Sequence, residues 1–250
     1  GAQIPVSIVY FGSDKMKNLE NRPVFIDAYG AYGLGNRLTH NASIEPLIEE
    51  GFIYAYVHVR GGDELGDDWY VQGKQFNKMN SFYDLIDAVD FMKYTGIGHS
   101  QRFFANGGSA GGLLMAAVIN ERPEMFAGAF LDVPFLDVIN TMLDESLPLT
   151  VDEFDEWGNP RRKKDFNYML QYSPYDNIKP QAYPKLMFQI GLEDKNVGFW
   201  EATKMVAKLR ATKTDDNVLL LQTKLSEGHS LSSSRMQGVQ ALAQKYSVLF

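Results

Sequence analysis

The chain has 250 residues and carries 24 Lys and Arg against 31 Asp and Glu, a formal net charge of −7. A hydrophobic share of 45% supplies enough apolar surface to offset chain entropy and excludes a disordered chain. The acidic balance speaks against a nucleic-acid or anionic-membrane partner, since either would need a basic face. Cysteine is absent, so disulfides, thiolate catalysis and Cys-based zinc sites are excluded.

Residues 1–10 alternate apolar side chains at Ile4, Val6, Ile8 and Tyr10, the period of a half-buried strand. The segment lacks the basic head and apolar core of a signal peptide. It also lacks an initiator Met, which suggests a processed chain or a fragment. No stretch approaches the ~20 apolar residues of a membrane helix. Together with the missing cysteines this predicts a cytoplasmic location.

Short apolar runs at 23–29, 53–59, 102–105, 126–131, 186–190 and 218–222 read as strands. They are continuous rather than alternating, as expected of strands buried on both faces of a parallel sheet. Helical spacing fills the gaps. Residues 81–94 place Phe82, Leu85, Ile86, Val89 and Met92 on one face, with Ser81 and Asp84 spaced like a capping box. Further helices are predicted over 113–120, 199–209 and 236–246. This alternation implies right-handed crossovers and an α/β three-layer sandwich around a mostly parallel sheet. Residues 137–176 are mostly polar and acidic and read as an excursion over the sheet. With no internal repeat and no linker, one domain spanning 1–250 is expected.

The segment 106–112, Asn-Gly-Gly-Ser-Ala-Gly-Gly, contains the G-x-S-x-G pattern between a predicted strand and a predicted helix. That context suits a nucleophile held on a strained turn, where small neighbours avoid collision with strand and helix. A phosphate loop would need Gly-Lys-Ser/Thr after the glycines, and none follows. A serine needs a base. Of the four histidines, His40, His58 and His99 precede Ser109, and His58 lies in an apolar run where a structural role is the better reading. Only His229 fits the order Ser, acid, His. It sits in a loop between the last predicted strand and the last helix. The acid should follow a late strand, where Glu193 and Asp194 both stand.

The blocks then accumulate. Tyr29-Gly-Ala-Tyr-Gly33, His58-Val-Arg-Gly-Gly-Asp-Glu-Leu-Gly66, Trp69-Tyr70, the 106–112 segment, Pro134-Phe135, Thr141-Met-Leu-Asp-Glu145, Glu156-Trp-Gly-Asn-Pro160, Tyr172-Ser-Pro-Tyr-Asp-Asn-Ile178, Gly191-Leu-Glu-Asp194 and Gly228-His229 occur in order. Over nearly its whole length the sequence resembles the peptidase domain of the prolyl oligopeptidase family, with oligopeptidase B as the nearer branch. The resemblance implies an α/β-hydrolase fold and a triad of Ser109, Asp194 and His229, which selects Asp194 over Glu193. It implies an oxyanion hole from the Tyr29 hydroxyl and the Ala110 N–H, with Tyr32 the neighbour most easily confused with Tyr29. It also implies that Glu153 binds a basic side chain whose stem stacks on Phe135, with Asp155 assisting.

The function implied is a serine peptidase that hydrolyses short, basic peptides after Arg or Lys, without cofactor or metal. A stand-alone esterase of small acyl substrates and a catalytically silent scaffold are the competing readings. Three features depart from the family pattern: Asp63 in place of a third glycine, Asn196 in place of an Arg, and the glycine-free run 230–234. The family's β-propeller is missing from these residues, because each blade alone needs four strands. If the chain is a fragment, the propeller is its expected partner.

Overall fold

A computed structural model describes residues 1–12, 18–36 and 39–249. Seven strands form one sheet: β1 (Val6–Val9), β2 (Val24–Asp27), β3 (Ile53–Val57), β4 (Phe103–Gly108), β5 (Gly128–Asp132), β6 (Lys185–Gly191) and β7 (Leu219–Lys224). Their spatial order is β1-β3-β2-β4-β5-β6-β7. Only β1 is antiparallel, pairing with β3 through Val6 opposite Val57; the other neighbours are parallel. The mostly parallel three-layer arrangement expected from the sequence is therefore present.

Nine helices are described: α1 (Glu45–Glu49), α2 (Asp67–Val71), α3 (Met79–Tyr94), α4 (Ala110–Glu121), α5 (Val138–Leu143), α6 (Phe154–Trp157), α7 (Lys163–Met169), α8 (Phe199–Thr212) and α9 (Arg235–Ser247). Residues of α3, α4 and α8 join the larger core on one face with Ile26, Ala55, Ala105 and Phe188. On the other face Leu47 of α1 and Tyr246 of α9 meet Phe25, Tyr54, Phe130 and Met187. Helix α4 is apolar on every side, as suits a helix buried all round: Leu113, Leu114, Met115 and Ala116 expose nothing to solvent.

Two expectations need correction. Helix α3 starts two residues before Ser81, and its first residue is preceded by Lys78, whose side chain makes no cap hydrogen bond. Ser81 and Asp84 bind Arg60 instead. Ser81 Oγ donates to the Arg60 carbonyl at 2.6 Å, and Asp84 accepts from Arg60 Nε at 2.8 Å and Nη2 at 2.5 Å. A tertiary ion pair, not a helix cap, explains that spacing. The excursion 137–176 is likewise less polar in space than in sequence. It folds as α5, α6 and α7 and buries Met142, Trp157, Met169 and Tyr172 in the larger core.

Because six strands run in parallel, their carboxyl ends share one edge, where ligands bind in open α/β sheets. Tyr29 follows β2, Ser109 follows β4, Phe135 follows β5, Asp194 follows β6 and His229 follows β7. His58, just past β3, is buried and doubly bound, to Ser7 Oγ at 2.7 Å and Glu64 Oε1 at 3.0 Å, the structural role the sequence suggested.

Candidate active site

Ser109 occupies the turn between β4 and α4 with φ 53° and ψ −120°, a conformation that costs a non-glycine residue free energy and persists only where the surroundings enforce it. Here they do. The Ser109 N–H donates to Asp132 O at 2.9 Å, while its carbonyl accepts from Phe135 N at 3.0 Å and Leu113 N at 3.2 Å. Gly107 and Gly112 near it admit nothing larger: a Cβ on Gly107 would lie 2.3 Å from Gly111 O, and one on Gly112 would lie 2.5 Å from Pro134 Cβ. Ala110 opens α4, where an N–H has no intrahelical acceptor.

A cavity of about 330 Å³ adjoins this turn, lined among others by Tyr29, Ser109, Phe135, Glu153, Asn196 and His229. The structure thus brings together six residues from five connections of the sheet. Tyr29 is half-buried. Burial raises its phenol pKa, the hydrogen bond with Ser109 opposes that, and the charges of Glu153 and Glu156 add to the rise.

Asp194 is buried, whereas Glu193 is exposed, so the two candidates separate in space. His229 Nδ1 donates to Asp194 Oδ2 at 2.7 Å. The other oxygen, Oδ1, accepts from the amides of Asn196 at 2.8 Å and Val197 at 3.0 Å. Burial pushes the Asp194 pKa up, but the hydrogen bonds from His229, Val197 and Asn196 outweigh it and hold the carboxyl below its usual range. With Nδ1 engaged as donor, Nε2 of the neutral ring is an acceptor. The Asp194 and His229 loops touch through backbone: a Cβ on Gly191 would fall 2.4 Å from the carbonyls of Glu227 and Gly228. Close approach at this glycine sets the His229 loop against β6.

Glu153 lies deeper. Its Oε2 accepts from Trp157 Nε1 at 2.9 Å, and the Tyr32 hydroxyl binds it as well. Burial is the largest influence and raises its pKa, with Glu156 and Asp152 contributing in the same direction. Phe135 packs on Trp157 with ring centroids 5.4 Å apart and forms part of the wall. Asp155 is exposed and does not line this cavity; it borders a separate cleft with Gln75, Phe76 and Arg162. Two residues along a helical turn rotate a side chain by about 200°, so Glu153 and Asp155 face different spaces.

Sequence reasoning missed Trp157 and Tyr32 as partners of Glu153, and the apolar lining from Met142, Leu147 and Leu149. The run from Phe154 to Trp157 held the one available signal, a Trp four residues after Glu153. Among the described residues no group of three or more His, Asp or Glu could hold a metal ion. No described helix is long and apolar enough to cross a membrane.

A family model, the prolyl oligopeptidase family, matches residues 38–249. The chain belongs to this family. The dipeptidyl aminopeptidase BI of Pseudoxanthomonas mexicana is 40% identical over 247 residues, covering 99% of this chain and 34% of that protein. Protease 2 of Moraxella lacunata is also 40% identical, over 100% of this chain and 36% of the relative. Oligopeptidase B from Leishmania major superposes with a TM-score of 0.95 at 40% identity over 99% of this chain and 34% of that one. Oligopeptidase B from Trypanosoma brucei, in a closed form with covalently bound antipain, gives 0.92 at 42% identity, over 98% of this chain and 35% of that one. The fold is that of the family's α/β-hydrolase domain. This chain spans about a third of the length of these relatives.

Proposed function

We propose that residues 1–250 are the peptidase domain of a serine oligopeptidase that cleaves short peptides after Arg or Lys. In this reading Ser109 Oγ attacks the scissile carbonyl and His229 Nε2 takes its proton. Asp194 holds the imidazole in the right tautomer and stabilises the imidazolium. The C–N bond then breaks, His229 returns the proton to the leaving amine, and water hydrolyses the acyl-enzyme. The observation that carries the proposal is the 2.7 Å His229–Asp194 hydrogen bond beside a strained serine turn on one cavity.

The Tyr29 hydroxyl and the Ala110 N–H are the two donors for the oxyanion, where preorganised donors act most strongly. Glu153 receives the basic side chain. Its carboxyl is poorly solvated, so an arriving guanidinium finds a strong, charge-assisted partner, and Phe135 offers its ring to the cation. Trp157 and Tyr32 fix the carboxylate in place beforehand. The names of the relatives, and the covalent adduct of one of them, support a nucleophilic peptidase. The remaining two thirds of such a protein, a β-propeller in this reading, would lie outside residues 1–250. The absence of cysteine is compatible with the cytoplasm.

The test compares turnover of a chromogenic amide bearing Arg with that of a neutral analogue, alongside labelling of Ser109 by a fluorophosphonate. Labelling with a clear preference for Arg is expected. Equal turnover would overturn the specificity. Much faster hydrolysis of short acyl esters than of any peptide amide would favour an esterase.

A further inference from the structure

Lys78 is 1% exposed, which is rare for an ammonium group, and the triad chemistry makes no use of it. Its Nζ donates to the Gly30 carbonyl at 2.5 Å and lies 5.1 Å from the centre of the Trp157 ring. Burial lowers its pKa to about 8, and the Glu156 carboxylate works against that fall. Glu156 is itself buried. Its Oε1 accepts from Tyr32 N at 3.0 Å and its Oε2 from Tyr70 Oη at 2.7 Å.

Both charges therefore grip one short loop, the one that carries Tyr29. That loop takes positive φ three times, 70° at Gly30, 60° at Tyr32 and 63° at Gly33. Glycine adopts such angles freely, whereas Tyr32 stays there only because its surroundings enforce it. A Cβ on Gly30 would sit 2.5 Å from Val59 Cγ2, so the loop is pressed onto the end of β3, and Gly33 N is tied to Gly61 O at 3.0 Å. Further polar fastenings include the Lys78 ammonium on the carbonyl next to Tyr29, the Glu156 carboxylate on the Tyr32 amide and the Tyr56 hydroxyl on the Tyr29 backbone.

We propose that Lys78 and Glu156 form a buried charge pair whose task is positioning: it holds the 29–33 loop so that the Tyr29 hydroxyl stays aimed at the oxyanion. The inference rests on the peptidase reading for its catalytic consequence, not for its structural one. A displaced donor weakens transition-state stabilisation without loosening ground-state binding, so the loss belongs in kcat. Displacement of a catalytic group by about 1 Å costs roughly 10²-fold.

The test uses the intact protein with Lys78→Met, Glu156→Gln, Tyr29→Phe and the Lys78→Met/Tyr29→Phe double variant. On an Arg amide, Lys78→Met should lower kcat by roughly 10-fold to 10²-fold with KM nearly unchanged. The double variant should be no slower than Tyr29→Phe alone, because both remove the same donor. Amide exchange at 29–33 should accelerate in Lys78→Met and Glu156→Gln while the β4 amides keep their protection. Loss confined to KM, losses of Lys78→Met and Tyr29→Phe that multiply, or unchanged exchange in the loop would each overturn the proposal. Glu156→Gln, which removes the charge that acts on Lys78, carries the same readouts if Lys78→Met does not fold. A wild-type protein inert toward every amide and ester would defeat the peptidase reading, and the exchange experiment would then decide the positioning claim by itself.

Discussion

Around Ser109, strands β2, β3 and β4 and helix α4 are buried almost without remainder, with Ile26, Ala55, Ala105 and Leu113 at 0% exposure. Around His229 the support is thinner: Leu220 of β7, Leu225 in the following loop and Val239 of α9 are 41%, 72% and 56% exposed. The difference follows what each residue has to do in the proposed mechanism. A serine held at φ 53° stays there only if packing and backbone hydrogen bonds leave no easier conformation. An imidazole that must pass a proton and meet a hydrolytic water needs access, and the His229 side chain is 28% exposed while its Asp194 partner is 1% exposed. In the proposed mechanism the rigid half presents the nucleophile and the open half the base, tethered to the sheet by Asp194 and the close contact at Gly191.

The contrast breaks most visibly in the chemistry. His229→Ala should lower kcat on an Arg amide by roughly 10⁶-fold, the order seen when a triad base is removed, with little change in unfolding midpoint. Asp194→Asn should cost roughly 10⁴-fold through the wrong tautomer. A small loss in both would show that the His229 side of the cavity is not the base. Glu153→Gln comes next. Truncating one member of a desolvated charge pair costs about 2–5 kcal/mol, so kcat/KM for the Arg amide should fall at least tenfold while that for a neutral amide holds. An equal fall for both substrates would move the specificity elsewhere.

Stability sharpens the same comparison. Leu113→Ala in the rigid half should cost about 2–5 kcal/mol in denaturant unfolding, and Leu225→Ala in the open half no more than about 0.5 kcal/mol. Similar costs would erase the distinction.

The smallest effect concerns Glu201 of α8, which lies behind the Phe135 wall. Its carboxyl is buried and accepts from Leu136 N at 2.7 Å, Asp137 N at 2.8 Å and Thr141 Oγ1 at 2.7 Å. Burial raises its pKa from 4.5 to about 7, with Asp137 adding to the rise against these hydrogen bonds. A raised carboxyl binds its proton more tightly in the folded state, so its contribution to stability is present below pH 4.5 and is lost as pH climbs toward 7. Glu201→Gln should flatten that part of the stability profile. An unchanged slope between wild type and variant would refute the assignment.

Much of the fold was legible because burial on both faces leaves a plain mark. The runs at 23–29, 53–59, 126–131, 186–190 and 218–222 each overlap a strand. The run at 102–105 proved longer, because Gly107 and Gly108 continue the parallel pairing with Leu131 and Asp132. The short helices α1, α2 and α5 to α7 left no comparable mark. Helices of four to seven residues are too short to be stable alone, and tertiary packing holds them. Ser81 and Asp84 matched a cap pattern because spacing carries no information about a distant Arg60.

The order of Ser109, Asp194 and His229 and the glycines around the serine could be read directly, since a strained turn admits few residue types and chain order limits which histidine can follow. What no linear pattern contains is the fate of charge. Whether Asp194 rather than Glu193 is buried, whether Glu153 and Asp155 share a cavity, and that Lys78, Glu156 and Glu201 lie inside the protein were all decided by tertiary packing. The cost or value of a charge depends on the solvent it loses and the partners it gains, and those are fixed only when distant segments meet.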